Sequence, residues 1–430
     1  MRKCLCSSFE VTGYRKTLDS TDLIEYDPVV SLKRRGNYLD EVLYLDTARL
    51  GKIANGAQRA LTDVLRFNKA YGASTYFDDL LFGGHQQLKS PNDFRGLRSW
   101  NGIENLRTDF KHLVFGKETG EAVFASRSSS LMALASKMVF SRCRNVLVTD
   151  LNWQPYVDIL TAAIPNDSCK ITFVPIKHLI FDDRSSASDL VHFLKAAYIQ
   201  NGCDGLFLPA VCDRGVKLPV KLLLEELKQY ARVRFSLMDA AQAINHIDLQ
   251  DAANAVDFTI AGTHKWLRAF EPMGVGLFAT TGSCSFIRST IERYLLSDCL
   301  ADPLLQFTES RVRGSETVNL QPLFAASGAI SDSLTNRIDE TQLDIFRSRI
   351  VAISEAAGWT LGNTHPELAT RIVLAHKKKF GHFAPDVIRK FMMNFGVAIS
   401  DFGSGQCRVS TPDQFSSSDE TKLQQAMVGC

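Results

Sequence analysis

Between about residues 123 and 279 the chain alternates two kinds of segment. Short runs of nearly continuous apolar character predict strands at 145–150, 170–175, 205–209, 234–239, 258–261 and 274–279. Longer runs, in which apolar residues recur at helical spacing, predict helices at 156–163, 188–200 and 222–230. A strand with no polar face belongs to a sheet covered on both sides. Repeated strand–helix units with right-handed crossovers then give an α/β, doubly wound, mostly parallel sheet. Ligands of such sheets bind at the carboxyl ends of the strands.

The flanks have a different pattern. The first forty residues are polar and irregular, and are expected to wrap over the domain surface. Tyr44-Leu45-Asp46-Thr47 reads as a short strand entering a turn at Gly51, and 57–68 has helical periodicity. From about residue 300, predicted helices at 343–357 and 385–395 mix with short strands at 370–375, 396–400 and 406–410, the signature of a smaller α+β domain. Because single cores stop growing at roughly 250–300 residues, the 430-residue chain is divided into three parts. These are an N-terminal segment (1–60) packing with the small domain, a large α/β domain (61–299) and a small C-terminal domain (300–430).

Composition narrows the class. Hydrophobic residues at 45% and charged residues at 22% are ordinary for a globular enzyme. A net charge of +2 gives no argument for nucleic acid or an acidic surface. The densest basic run, Lys377-Lys378-Lys379, reads as a solvated loop. The N-terminus carries no signal-like apolar run, and no stretch has the roughly 18 apolar residues of a membrane span. Ten scattered cysteines without metal-ligand spacing predict no metal site and a reduced, cytoplasmic location.

Three strand-end features bear on chemistry: Phe235-Ser236-Leu237-Met238-Asp239, Gly262-Thr263-His264-Lys265-Trp266-Leu267, and Met273-Gly274-Val275-Gly276-Leu277. Singly, each is bland: a strand-end Asp caps a turn, a loop Lys is solvated, and glycines mark close backbone approach. Together they meet two demands of one chemistry. A lysine that attacks an aldehyde must be deprotonated near neutral pH, which apolar surroundings and a nearby cation promote. A pyridine nitrogen acting within an electron sink needs a fixed carboxylate against it. Lys265 and Asp239 are the candidates for these two roles, and pyridoxal 5'-phosphate (PLP) is the cofactor they imply.

In order, Asp239-Ala240-Ala241-Gln242, Asp257-Phe258, His264-Lys265-Trp266 and Met273-Gly274-Val275-Gly276 resemble the class V aminotransferase family of fold-type I PLP-dependent enzymes. Lys265 follows Asp239 by 26 positions, and the likeness extends over roughly residues 40 to 412. The resemblance implies a Schiff base on Lys265, with Asp239 on the pyridine nitrogen, Gln242 near the phenolic oxygen, and His264 on the phosphate or steadying the lysine loop. Ser128 and Ser129, opening an apolar helix, are the implied phosphate ligands, since a helix N-terminus offers free N–H groups. Trp153 is the implied stacking ring. Thr317 would reach the phosphate from a neighbouring subunit, making the site complete only in a homodimer. Arg408 would grip the substrate α-carboxylate with its planar fork.

The pattern is broken in three places. Gly262 stands where many members have Ser, with Thr263 the nearest hydroxyl. No His occurs between Asp150 and Tyr156. The phosphate-side motif reads Gly314-Ser315-Glu316-Thr317. The implied activity is an aminotransferase acting on an amino acid or keto acid. A PLP-dependent lyase, a cysteine-desulfurase-like enzyme or an epimerase on the same scaffold is the alternative, and a non-catalytic binding module is the remote one. A desulfurase would need a nucleophilic thiol, for which Cys284 and Cys299 are the downstream candidates. A nucleotide-binding protein is excluded by the lack of GxxxxGK[ST] and GxGxxG motifs.

Overall fold

Seven strands form the central sheet: β2 (Glu121–Ala125), β3 (Asn145–Thr149), β4 (Lys170–Val174), β5 (Gly205–Pro209), β6 (Phe235–Asp239), β7 (Phe258–Gly262) and β8 (Gly274–Phe278). Short β1 (Leu43–Tyr44) precedes them in the chain. In this computed structural model the described residues are 42–429 apart from 77, 118, 281, 298–300, 310–317, 336–338, 363–364, 379–380 and 382–385. The surface-wrapping segment expected over the first forty residues and Thr317 therefore lie outside the described residues.

The strand order is β2-β8-β7-β6-β5-β3-β4. All pairings are parallel except those of β8, which runs against both β2 and β7. Apolar residues of each strand divide between two cores, which explains the missing polar alternation. Leu147, Leu206, Leu208, Met238, Ala261 and Leu277 pack on one side. Val146, Val148, Phe207, Leu237, Ile260 and Phe258 pack on the other. Helices cover both sides, among them Ser128–Arg142, Gln154–Ala162, Ala187–Gln200 and Val220–Tyr230. The helix Ala187–Gln200 shows how sequence sets these boundaries. Ser186 and Asp189 satisfy each other's backbone N–H in a capping box, and Leu190, Val191, Leu194 and Tyr198 form its buried stripe.

After β3 the chain steps outward to β4, then returns to place β5 on the other side of β3. The connections therefore diverge at the carboxyl ends of β3 and β5, the usual place for a crevice.

The rest of the chain builds a second, smaller sheet. Strands β9 (Thr360–Leu361), β10 (Ile372–His376), β12 (Ser400–Gly403) and β13 (Gln406–Ser410) pair antiparallel in the order β12-β13-β10-β9. Strand β1 pairs in parallel with β11 (Val397–Ala398). Leu43, Leu45, Phe346, Ile350, Trp359, Val409 and Met427 are part of a separate core there. No described helix is long and apolar enough to cross a membrane.

Candidate active site

The loop between β7 and β8 carries Lys265, and its neighbours leave it little freedom. Buried Thr263 donates its N–H to the Met273 carbonyl and its hydroxyl to the Glu271 carbonyl, each at 3.1 Å. That hydroxyl, the one nearest the position where the family has Ser, is thus engaged with main chain. Trp266 is buried; its indole N–H donates to Gln242 Oε1 at 2.8 Å, and His246 stacks on it with centroids 3.9 Å apart. Gln242 Nε2 donates to the Ala48 carbonyl at 2.7 Å, so this amide ties the loop to the 46–51 turn and keeps one N–H in hand. The same turn meets the loop again where Gly51 N–H donates to the His264 carbonyl at 2.8 Å. A Cβ on Gly51 would come within 2.0 Å of the Lys265 carbonyl oxygen. Only glycine allows that approach.

Asp239 ends β6, paired in register with Pro209 of β5 and Ile260 of β7. Its carboxylate accepts the Ala241 N–H at 2.8 Å. Burial pushes the carboxyl up to about 6, opposed by the Ala241 hydrogen bond and by Lys265. Loss of solvent likewise pushes the Lys265 amine down, while Asp239 pulls it up, Arg408 pushes it down and Asp213 pulls it up. His264 is held down to about 4, by burial first and by Lys265 second, and its buried Nδ1 has no partner. Gly262 follows from this ring: a Cβ there would sit 3.1 Å from His264 Cε1. A serine there would need the imidazole to shift by a few tenths of an ångström.

Ser128 and Ser129 open the fifteen-residue helix Ser128–Arg142, after the extended residue Arg127. Gly274, the first residue of β8, backs onto that turn. A Cβ at 274 would lie 2.6 Å from the Arg127 carbonyl and the Ser128 nitrogen. The glycine of the Met273-Gly274 pair thereby lets the helix N-terminus, with its unpaired N–H groups, sit against the sheet. Tyr156 is fully buried close to Ser128, and its phenol is pushed up by burial and then by Asp239. Trp153 is half exposed beside it, edge-on with centroids 4.9 Å apart.

Arg408 of β13 is buried. Its Nη1 donates to the Asp213 carbonyl at 3.1 Å and its Nη2 to Ser400 Oγ at 2.9 Å, while Asp46 Oδ1 lies 3.8 Å away. Ser400 Oγ also donates to Asp46. The Arg408 Nε is buried and has no partner. A guanidinium held by one edge with an unsatisfied N–H on another can receive a carboxylate.

These contacts and fields bring together Lys265, Asp239, His264, Gln242, Arg408, Ser128 and, through Tyr156, Trp153. Ser129 stands next to Ser128 on the same turn. Sequence reasoning missed Tyr156, Asp213, Asp46, Ser400 and His246. Only Tyr156 had a visible signal, since it lies three positions beyond Trp153 in the segment already singled out.

No protein-family model matches the chain, and no curated protein matches it in sequence. Solved structures do match. A NifS-like protein superposes with TM-score 0.60 at 14% identity, covering 90% of this chain and 98% of that one. Ureidoglycine–glyoxylate aminotransferase from Bacillus subtilis gives 0.61 at 13%, over 90% and 93%. Alanine–glyoxylate aminotransferase from Nostoc sp. gives 0.61 at 12%, over 94% and 99%. At these identities the likeness is one of fold: the chain has the α/β fold of the class V aminotransferases, the fold-type I architecture of PLP-dependent enzymes.

Proposed function

We propose that this chain is a PLP-dependent enzyme that acts on a small amino acid, as an aminotransferase. The observation that carries the proposal is the Lys265 amine, desolvated and set against the buried Asp239 carboxylate at the ends of adjoining strands. Three further features support PLP as the group these residues would hold. They are the buried, unpartnered His264 Nδ1, the unpartnered Arg408 Nε, and the helix N-terminus that Gly274 admits against the sheet. Asp239 would hold the ring nitrogen, the Ser128–Ser129 turn and His264 the phosphate, and Trp153 the ring face. When bound, the cofactor supplies an electron sink that makes the α-carbon of an amino acid acidic.

The chain's residues then divide the work. Lys265 Nζ, whose proton affinity desolvation lowers, would take the proton from the substrate α-carbon and return it to the cofactor's aldehyde carbon. Arg408 fixes the α-carboxylate and so turns the Cα–H bond toward that amine. Asp239 holds its charge more firmly when a cation faces it. The Gln242–Trp266–His246 cluster holds the loop so that the amine does not drift.

Sulfur transfer on the same scaffold would need a thiolate nucleophile at the site. Cys212, next to Asp213, has its thiol pushed up to about 12 by burial, far from the thiolate that a desulfurase nucleophile requires. Cys284 begins the helix Cys284–Ser297 beside Arg288, and Cys299 lies outside the described residues. A lyase or epimerase on the same residues would differ in where the proton returns. We further propose a cytoplasmic homodimer that shares its sites between subunits.

The test is to mix purified protein with PLP, record the visible spectrum, then add amino acids one at a time. A spectral change with keto-acid release supports transamination. Ammonia or sulfide release makes the enzyme a lyase, and no response to any amino acid makes it a binding protein.

A further inference from the structure

The lysine loop is tied to the smaller sheet by a contact that the proposed chemistry leaves without a task. Two non-glycine residues just beyond Lys265 lie in the left-handed region, Arg268 at φ 63° and Phe270 at φ 68°. Backbone of that kind relaxes unless its surroundings hold it. Arg268 is held from two directions. On one side its carbonyl accepts the Ala54 N–H at 2.9 Å and its Nε donates to the Lys52 carbonyl at 2.8 Å. On the other, its Nη1 donates to the Asp413 carboxylate. The N–H of Arg268 in turn donates to the Lys265 carbonyl at 3.1 Å. What fixes Arg268 therefore fixes the backbone of Lys265.

Asp413 follows shortly after β13, the strand of Arg408. Its Oδ1 accepts Arg371 Nη2 at 2.5 Å. Arg371 leads into β10, whose Leu374 pairs in register with Arg408, and its carbonyl accepts the Thr411 N–H at 2.7 Å. The same residue also meets the lysine loop: its guanidinium carbon lies 5.0 Å from the centre of the Trp266 ring, and its N–H donates to His246 Nε2 at 3.3 Å. Among the described residues no other carboxylate pairs with either arginine. One carboxylate thus joins a guanidinium of the lysine loop to a guanidinium of the smaller sheet. Bonds of this charge-assisted kind, on side chains no more than about a third exposed, hold more firmly than a solvated surface pair.

We propose that Asp413 is a positioning residue: by joining Arg268 to Arg371 it locks the Lys265 loop to the strands that carry Arg408, and so sets the amine and the carboxylate grip at a fixed separation. This rests on the roles given above to Lys265 and Arg408. Asp413 acts through Arg268, and the effect is large because a misplacement of about 1 Å at reacting groups costs on the order of 10²-fold in rate.

Hydrogen exchange followed by mass spectrometry reads the lock on the full chain, because the Arg268 and Ala269 amides are bonded inside the loop, to the Lys265 and Thr263 carbonyls. In Asp413→Ala the peptide carrying them should exchange about tenfold faster or more, while β5 and β6 keep the wild-type rate. Asp413→Glu, which keeps a carboxylate between the two arginines, should stay within about threefold of the wild type. The rate at which added PLP forms its visible chromophore should follow the same order and fall about tenfold in Asp413→Ala. Loop exchange that is unchanged in Asp413→Ala, matched by an equal rise in β5 and β6, or just as fast in Asp413→Glu overturns the proposal. So does an unaltered rate of chromophore formation in Asp413→Ala. A wild-type chain that forms no chromophore with PLP contradicts the reading of Lys265 instead, and the exchange rates still decide whether Asp413 locks the loop.

Discussion

At the scale of single residues, the candidate site is a set of groups whose proton affinities burial shifts from their ordinary values, and that has measurable consequences. Asp239 keeps its proton up to about pH 6 in the folded chain, against an ordinary aspartate value of 3.8. Between those values the folded state binds more protons than the unfolded one, so this group's contribution to stability falls as pH rises through the window. Above it, the cost approaches roughly 3 kcal/mol at about 1.4 kcal/mol per pH unit. Thermal melts of the cofactor-free protein should therefore show wild type losing ground to Asp239→Asn from about pH 4 to about pH 6, with no further change above about pH 7. A difference that grows in the opposite sense would mean that the carboxylate is ionised in its burial site. With PLP added, the ranking at neutral pH should reverse, because a cation on the ring nitrogen stabilises the charged form. Two kinetic outcomes belong here as well. Lys265→Ala should lower kcat by about 10³-fold or more while the circular dichroism spectrum persists. Arg408→Ala should raise KM for the amino acid roughly 10- to 100-fold and disturb cofactor binding far less.

Among secondary-structure elements, close backbone approaches set the geometry, and Gly274 is the clearest case. Its missing Cβ lets β8 touch the first turn of the helix Ser128–Arg142, where the obstructing atoms are main chain and cannot rotate away. Gly274→Ala should push that helix back and destabilise the fold by about 1–3 kcal/mol. Its affinity for PLP, followed by the visible absorbance, should fall further than the loss of stability explains. Equal PLP affinity in wild type and variant would show that this helix terminus does not hold the phosphate.

Elements are also where reading the sequence succeeded and failed for visible reasons. Strands β5 and β13 match the expected runs to the residue, and the other expected strands of the large sheet differ only at their ends. The failures are long-range. The sequence carries no local sign that β8 runs against its neighbours, or that Glu121–Ala125 pairs with it at the sheet edge, since strand direction is decided by connections distant along the chain. The short 3₁₀ turns between Gly72 and Leu97 lack a period long enough to detect. At the site, residues on the strand-end motifs were legible. Asp46, Asp213 and Ser400 were not, because each is an isolated polar residue on a different element, and only folding sets them around Arg408.

For the whole molecule, one architecture accounts for both the sequence pattern and the proposed chemistry. A sheet buried on both faces requires continuous apolar strands, and its polar chemistry gathers along the row of strand ends where Asp239, Lys265 and Asp213 cluster. The smaller sheet contributes Arg408 from β13. A homodimer is the expected assembly, and sedimentation should give twice the chain mass. The proposed chemistry as a whole depends on a covalent bond that one measurement can see. Borohydride reduction of the PLP-treated protein, followed by peptide mapping, should place a pyridoxyl group on the peptide containing Lys265 and on no other. An unmodified Lys265 peptide after reduction, with or without label elsewhere, would contradict it.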